Sequence, residues 1–428
     1  MKDSLHKYST REDTASRDFF ITSAARFVST IGYTAVVVAI MLEIQRNFRD
    51  PGFGPWAITG YLALATLPAV LLAPWAGKLA DTHDSRLLAG IAAGTSLAAA
   101  ALMATSTHLL ANPLPALFGL TVLLEAATVL GTPTWQALLP RIVGEDRTPR
   151  AMGNLQATLM LAGLVGPALG GLLTGAGGLP VVFWAAAAGY LGLLVGALLL
   201  RTRRYLRAES ASLDTGRDSS KLLDGLRELS ADRVLQVVLG SLVVVTLFGS
   251  AVNVFEVFLV RETLGGSEID YGLLTSIIGA GLIAGSMLAG RIRSDQVRLA
   301  AFFGAAAGTS ICFCLMGLAP TILLLFLAGA AAGFGIGVLN AAFGALVIKR
   351  TAEHRRGQVS SITQALSRAA ALGALGLGGF LGSVFGPRIG FVASGSAALL
   401  ASLCGAALLL LRFREQESVE QQLADRVE

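Results

Sequence analysis

Charge is scarce in this sequence. Asp, Glu, Lys and Arg supply only 14% of its 428 residues against 54% apolar ones, and the mean hydropathy is +0.67. That deficit lies outside the usual range of water-soluble domains and places the chain in a membrane. Cysteine is almost missing: Cys312, Cys314 and Cys404 fall inside apolar runs with no His or carboxylate at metal-ligand spacing, so they read as packing residues. The four histidines, His6, His83, His108 and His354, stand apart, and no G-x-x-x-x-G-K-S/T loop occurs. The chain therefore shows no machinery for metal chemistry or nucleotide-driven pumping; no cofactor and no metal are expected, and an enzyme is not. The first 18 residues, MKDSLHKYSTREDTASRD, are polar throughout, so no cleavable signal peptide is expected.

What the chain has in abundance is apolar runs of about 20 residues, the length of helix that crosses a hydrocarbon core of about 30 Å. Twelve are predicted, at 19–44, 57–79, 87–110, 116–137, 152–173, 181–200, 235–260, 272–289, 299–318, 322–347, 359–385 and 391–411. With both termini in the cytoplasm, 27 of the 33 basic residues lie on that side; Arg46, Arg49, Arg261 and Arg388 lie outside, and Arg26 and Arg368 fall within spans. The net charge of +5 thus reports topology in a cell inner (plasma) membrane, and nucleic acid is not an expected partner. The longest internal polar segment, 201–233, opens basic, passes through a Ser/Asp/Gly-rich stretch and closes with Leu222, Leu223, Leu226 and Leu229 at helical spacing. It reads as a cytoplasmic linker with an amphipathic helix. It would separate a six-helix bundle at 19–200 from another at 234–411, flanked by cytoplasmic tails at 1–18 and 412–428. A faint repeat supports two related halves. Ala76-Gly77-Lys78-Leu79 ends the second span and Ala289-Gly290-Arg291-Ile292 the eighth, each followed closely by an aspartate, Asp81 or Asp295. Six plus six with an internal repeat is transporter architecture.

Gly77-Lys78-Leu79-Ala80-Asp81, followed by Arg86, resembles the loop signature of the major facilitator superfamily, and Gly166-Pro167-Ala168-Leu169-Gly170-Gly171 resembles the G-P-x-x-G-G core of the motif seen in its antiporters. Ser29-Thr30-Ile31-Gly32, Pro133-Thr134-Trp135-Gln136-Ala137-Leu138-Leu139-Pro140 and Gly357-Gln358-Val359-Ser360-Ser361 are similar to the macrolide-efflux and enterobactin-exporter branch of the drug:proton antiporters. The resemblance implies an all-α membrane protein of twelve transmembrane helices, in two pseudo-symmetric six-helix bundles that rock about a central cavity. It also implies roles. Asp81 would accept hydrogen bonds from the start of the eleventh helix, closing the cytoplasmic face and favouring the outward-open state, while Arg86 would pair nearby carboxylates. A carboxylate at a helix N-terminus is worth about 0.3–1 kcal/mol when exposed and up to about 2 when partly buried. Gly166, Pro167, Gly170 and Gly171 form a hinge or gate candidate, because proline removes an internal hydrogen bond and glycine admits a close neighbour.

Ionisable groups inside the spans carry the remaining signal, since a charge at mid-bilayer is costly unless it faces water or a partner. Glu125 lies near mid-depth in the fourth span and is the candidate proton-titrating or cation-binding carboxylate. No basic residue accompanies it in that span, unlike in many drug:proton antiporters. Arg26 lies about seven residues into the first span, roughly 10 Å deep by helical rise, where it lines a cavity or snorkels outward. Arg368 is expected to pair with a carboxylate or line the cavity. Glu256, one turn beyond Asn253, is expected at the outer end of the seventh span with Arg261 as its pairing candidate. Tyr33, Asn340 and Gln364 are further polar handles. The expected function is secondary, gradient-driven export of small amphipathic compounds by a monomer in the lipid bilayer, with protons as the coupling ion. A dedicated exporter of a siderophore, natural product or lysolipid is the alternative, and a non-transporting receptor or scaffold is the alternative of a different class; flux would separate them.

Overall fold

In hydrocarbon a segment must satisfy its own backbone N–H and C=O groups, and a helix does so without a partner. The computed structural model describes residues 2–48, 50, 52–200, 232–351 and 356–424, and among them no strand occurs. Ten helices follow in order: α1 Lys2–Asn47, α2 Gly54–Thr82, α3 Ser85–Leu109, α4 Leu114–Val143, α5 Thr148–Leu199, α6 Arg233–Phe258, α7 Glu268–Ala289, α8 Asp295–Leu318, α9 Ile322–Arg350 and α10 Arg356–Ala424. The polar stretch 2–18, expected as a separate tail, continues the helix of α1.

Ten helices against twelve expected spans has a simple physical reason. The apolar parts of α5 and α10 run 52 and 50 residues. At about 1.5 Å per residue either would be more than twice as long as a bilayer core is thick. Each contains one residue that is not helical: Gly178 (φ 72°, ψ −174°) and Gly386 (φ 76°, ψ 170°). Positive φ is a conformation that glycine adopts without steric cost, and Pro180 and Pro387, close behind, cannot donate to the preceding turn. Each long helix is therefore two limbs joined by a one-residue break, and the limbs accommodate the fifth and sixth, and the eleventh and twelfth, expected spans.

The chain divides into two compact units. The first holds Met1–Arg49, Gly60–Ala211 and Gly266–Ser276; the second holds Asp50–Thr59, Ser212–Gly265 and Ile277–Glu428. In the first, α1 lies against both limbs of α5 through small residues. A Cβ on Gly170 would come within 2.8 Å of the Ala35 backbone, and one on Gly32 within 2.9 Å of Ala186 Cα. Stripes of small residues let helices approach closely where lipid removes any hydrophobic drive between them. In the second unit, Leu235, Val238 and Leu242 of α6 meet Phe302 and Phe303 of α8 and Leu346 of α9 in one apolar cluster. The amphipathic leucines of 222–229 lie outside the described residues.

Candidate functional site

Glu125 sits on the face of α4 that packs into the first unit and is 9% accessible. The hydroxyls nearest it along the helix are committed elsewhere: Thr121 donates to Leu117 O (2.8 Å) and Thr128 to Leu124 O (3.0 Å). Its hydrogen bond comes from another helix, Tyr33 Oη of α1 donating to Glu125 Oε1 at 2.7 Å. Two further phenols, Tyr61 of α2 and Tyr190 of the second limb of α5, lie within electrostatic reach of the carboxylate. Two residues named separately from the sequence, Tyr33 and Glu125, are thus joined.

Tyr33 also forms part of the wall of a cavity of about 260 Å³ within the first unit, bounded by α1, α3, α4 and α5. Arg26, Ser29 and Thr30 continue that wall along α1, and Trp135 and Tyr190 add aromatic surface. Pro133 lies beside this cavity inside α4; its missing N–H removes the bond to Val129 O, so the helix is deformable where Gly131 and Thr132 line the space. A buried carboxyl group and a phenol that both bonds to it and lines a cavity make a place where a proton or a cationic group can be held. Tyr61, Tyr190 and Trp135 were not singled out as site residues from the sequence. The available signal was scarcity: only six tyrosines occur in the chain, and three surround Glu125.

Arg86 corrects an expectation. Among the described residues its guanidinium meets main-chain carbonyls: Nε donates to Ala197 O at 3.2 Å and Nη2 to Leu198 O. Those carbonyls end α5, where the last turn lacks intrahelical donors and the dipole is negative, so a cation is a natural cap. Asp84 begins α3 as its N-cap, accepting from the Arg86 N–H at 2.9 Å. Asp81 lies in the last turn of α2, and its side chain is outside the described residues. Gly77 faces open space, with nothing within 4 Å of a Cβ. The Gly166–Gly171 segment is closely packed: Gly166 lies against Thr34 and Ile31, Gly170 against Ala35 and Gly171 against Gly272, and the N–H of Ala168, next to Pro167, donates to Ser276 Oγ at 3.0 Å.

The second unit is less convergent. Glu256 is 6% accessible, and its Oε1 has no hydrogen-bond partner among the described residues. Arg261, its pairing candidate, lies five residues on, inside the π turn Leu259–Thr263. Asn253, three residues before Glu256, is exposed. Arg368 is also exposed and makes no ion pair among the described residues, which leaves the cavity-lining alternative of its expectation. Asn340 and Gln364 are exposed on α9 and α10. The cysteines are free thiols, and Cys314 Sγ approaches Val392 O at 3.7 Å, as a packing residue does.

A family model described as a transmembrane secretion effector matches residues 57–427. The chain is 24% identical over 410 residues to a multi-drug resistance efflux pump PmrA homolog of Lactococcus lactis subsp. lactis, with 92% of each covered. Among solved structures it is similar to the nucleoside transporter NupG (13% identity, TM-score 0.68, covering 92% of this chain and 99% of that one). It is also similar to a D-xylose-proton symporter (16% identity, TM-score 0.64, 90% and 96%). At these identities the structural likeness speaks for the fold alone.

Proposed function

The chain belongs to the transmembrane secretion effector family of the major facilitator superfamily, as a multi-pass, non-enzymatic transporter, and from that premise we propose that it exports small amphipathic compounds by alternating access in exchange for protons. The relative described as a multidrug efflux pump supports the direction and breadth of this cargo. The observation that carries the coupling is the Tyr33–Glu125 hydrogen bond inside the first unit. A carboxyl group so enclosed holds one proton or one cationic group but not both, and that competition is what antiport requires. Tyr33 both bonds the carboxyl group and lines the cavity, so a bound compound that displaces or reorients the phenol changes the hydrogen bonding that Glu125 receives.

The test is accumulation of ethidium and of a macrolide in cells expressing the protein, with and without a protonophore, beside Glu125→Gln. Wild-type protein is expected to lower accumulation of at least one compound, the protonophore to reverse that effect, and Glu125→Gln to abolish it while expression stays unchanged. Lowering that survives the protonophore would overturn proton coupling. No lowering of either compound would overturn broad drug export in favour of a dedicated exporter, such as one for a siderophore.

A further inference from the structure

We propose that Glu256 is a second proton-binding site, contained in the second unit and reached through Asn253, so that each transport cycle moves two protons; this rests on the export reading above and adds to it the proton count.

From Ala251 to Val260 every residue is buried except Asn253. Glu256 lies within this run at 6% accessibility, and its Oε1 has no hydrogen-bond partner among the described residues. The residues one turn away on its side of the helix, Val252, Leu259 and Val260, are apolar and at most 3% accessible. A carboxyl group enclosed this way packs no better than leucine would, and its buried oxygen forfeits the hydrogen bonds it makes in water. Ionisable groups kept at such positions in membrane helices mark ion and proton pathways. The ionisable groups on the surrounding elements are placed elsewhere. Arg388 of the second limb of α10 donates to Gly317 O at 3.4 Å, Cys314 of α8 lies against Val392 O, and Asp50 accepts from Gly52 N at 2.9 Å. Lys349 and Arg350 of α9 pair with Asp295 and Asp232. Arg261 and Glu262 belong to the π turn, and Arg368 precedes Gly378, which meets Ala251 and Val254, by ten residues or about 15 Å along α10. A proton is the cation that such a place admits, because it needs no coordination shell.

The backbone around Glu256 gives such a proton something to move. The π turn Leu259–Thr263 begins three residues further on, and single π turns recur at functional sites. Phe255, next to Glu256 in the chain, packs edge-on against Phe391 with ring centroids 5.2 Å apart. A Cβ on Gly382 or Gly390 would come within 3.2 Å or 3.1 Å of Phe255, and these two glycines flank the one-residue break at Gly386 in α10. Charge gained or lost at Glu256 therefore acts beside two joints of the backbone. Asn253 stands one turn before Glu256, as the exposed residue of an otherwise buried run. Its amide both donates and accepts, as a relay for a proton must.

Two protons exchanged for one univalent cation carry net charge across the membrane, and one proton does not. Purified full-length protein in lipid vesicles is loaded with ethidium at equal pH on both sides, and an inside-negative potassium potential is imposed with valinomycin, beside protein-free vesicles. Wild-type protein is expected to expel ethidium against its passive direction, by about tenfold for each roughly 59 mV, the constant for one elementary charge. Glu256→Gln is expected to lose this response. A pH gradient of one unit is expected to sustain a ratio of about a hundredfold in wild type and about tenfold in Glu256→Gln, since each proton contributes one factor of ten. Asn253→Leu is expected to reach the wild-type ratio more slowly. Infrared difference spectra between acidic and alkaline buffer need no cargo: the carbonyl stretch of a neutral carboxyl group should lose one component in Glu256→Gln and another in Glu125→Gln. Equal responses to the potential in wild type and Glu256→Gln overturn the proposal, as does no response in wild type while a pH gradient drives expulsion, or an infrared difference that Glu256→Gln leaves unchanged. An infrared difference that only Glu125→Gln leaves unchanged removes the coupling role of the first unit and keeps this site. If ethidium is not moved at all, broad drug export fails and the infrared comparison decides this site by itself.

Discussion

At Gly170 a single methyl group decides whether two helices fit. A Cβ there would lie 2.8 Å from both Cα and O of Ala35, and backbone cannot step aside as a flexible side chain can. Seven residues earlier on the same limb, Gly163 has nothing within 4 Å of the corresponding position. Gly170→Ala is therefore expected to force α1 away from α5 at about 1–3 kcal/mol, the usual cost of overpacking. Gly163→Ala is expected to leave stability unchanged or raised by up to about 1 kcal/mol through helix propensity. Thermal unfolding of the purified protein in detergent checks the pair: Gly170→Ala should lower Tm by several degrees and Gly163→Ala should not. Equal shifts would mean that the α1–α5 contact is not the tight one. The Gly-Pro pattern was legible in the sequence, but which of its glycines meets backbone was not, because that depends on a helix more than a hundred residues earlier. The same holds for Tyr33 and Glu125, 92 residues apart. Each was visible as a polar group in an apolar run, and only the fold joins them.

Helices in this chain begin and end by rules that the sequence states in part. Asp232 ends the polar connection before α6 and caps that helix, accepting from Val234 N at 2.8 Å and Leu235 N at 3.3 Å, while its other oxygen accepts from Arg350 Nη1 at 3.1 Å. Cap and ion pair can be separated by substitution. Asparagine caps as well as aspartate but cannot pair, and alanine does neither. Asp232→Ala is expected to cost about 1–2 kcal/mol and Asp232→Asn less than about 1, since half-exposed ion pairs contribute little. Protease susceptibility near residue 232, read by limited proteolysis and mass spectrometry, should rise clearly for alanine and slightly for asparagine. Equal effects would assign the stabilisation to the ion pair. The apolar spans were legible in hydropathy alone, and the breaks at Gly178 and Gly386 fall between expected spans beside a proline; that α1 and α10 run on as helix into the polar ends was not legible. The acceptors of Arg86 were not legible. A main-chain carbonyl carries no residue identity, so a search by residue type looks for a carboxylate and misses the end of α5.

The faint repeat read from the sequence, if it relates two halves, predicts a difference between them at the level of the whole transporter. Asp295, the counterpart of Asp81, pairs with Lys349 Nζ at 2.8 Å and Arg298 Nη1 at 3.2 Å, all within the second unit. An ion pair contained in one half would not change if the halves rocked as proposed, and a surface pair of this kind contributes little. Asp81, by the family resemblance, would act between the halves and exist as a contact in only one state. A contact worth about 1–2 kcal/mol in one state alone changes a two-state ratio by roughly 5- to 30-fold. Asp81→Asn is therefore expected to shift the population towards the inward-open state, and Asp295→Asn is not. Spin labels placed across the expected cytoplasmic face, with distances measured by double electron–electron resonance, read both variants on one scale. A longer-distance population that grows in Asp81→Asn alone supports a latch made by the first repeat only. Unchanged distances in Asp81→Asn refute the latch, and an equal shift in both variants means that charge on that face, rather than the docking of one carboxylate, sets the balance between states.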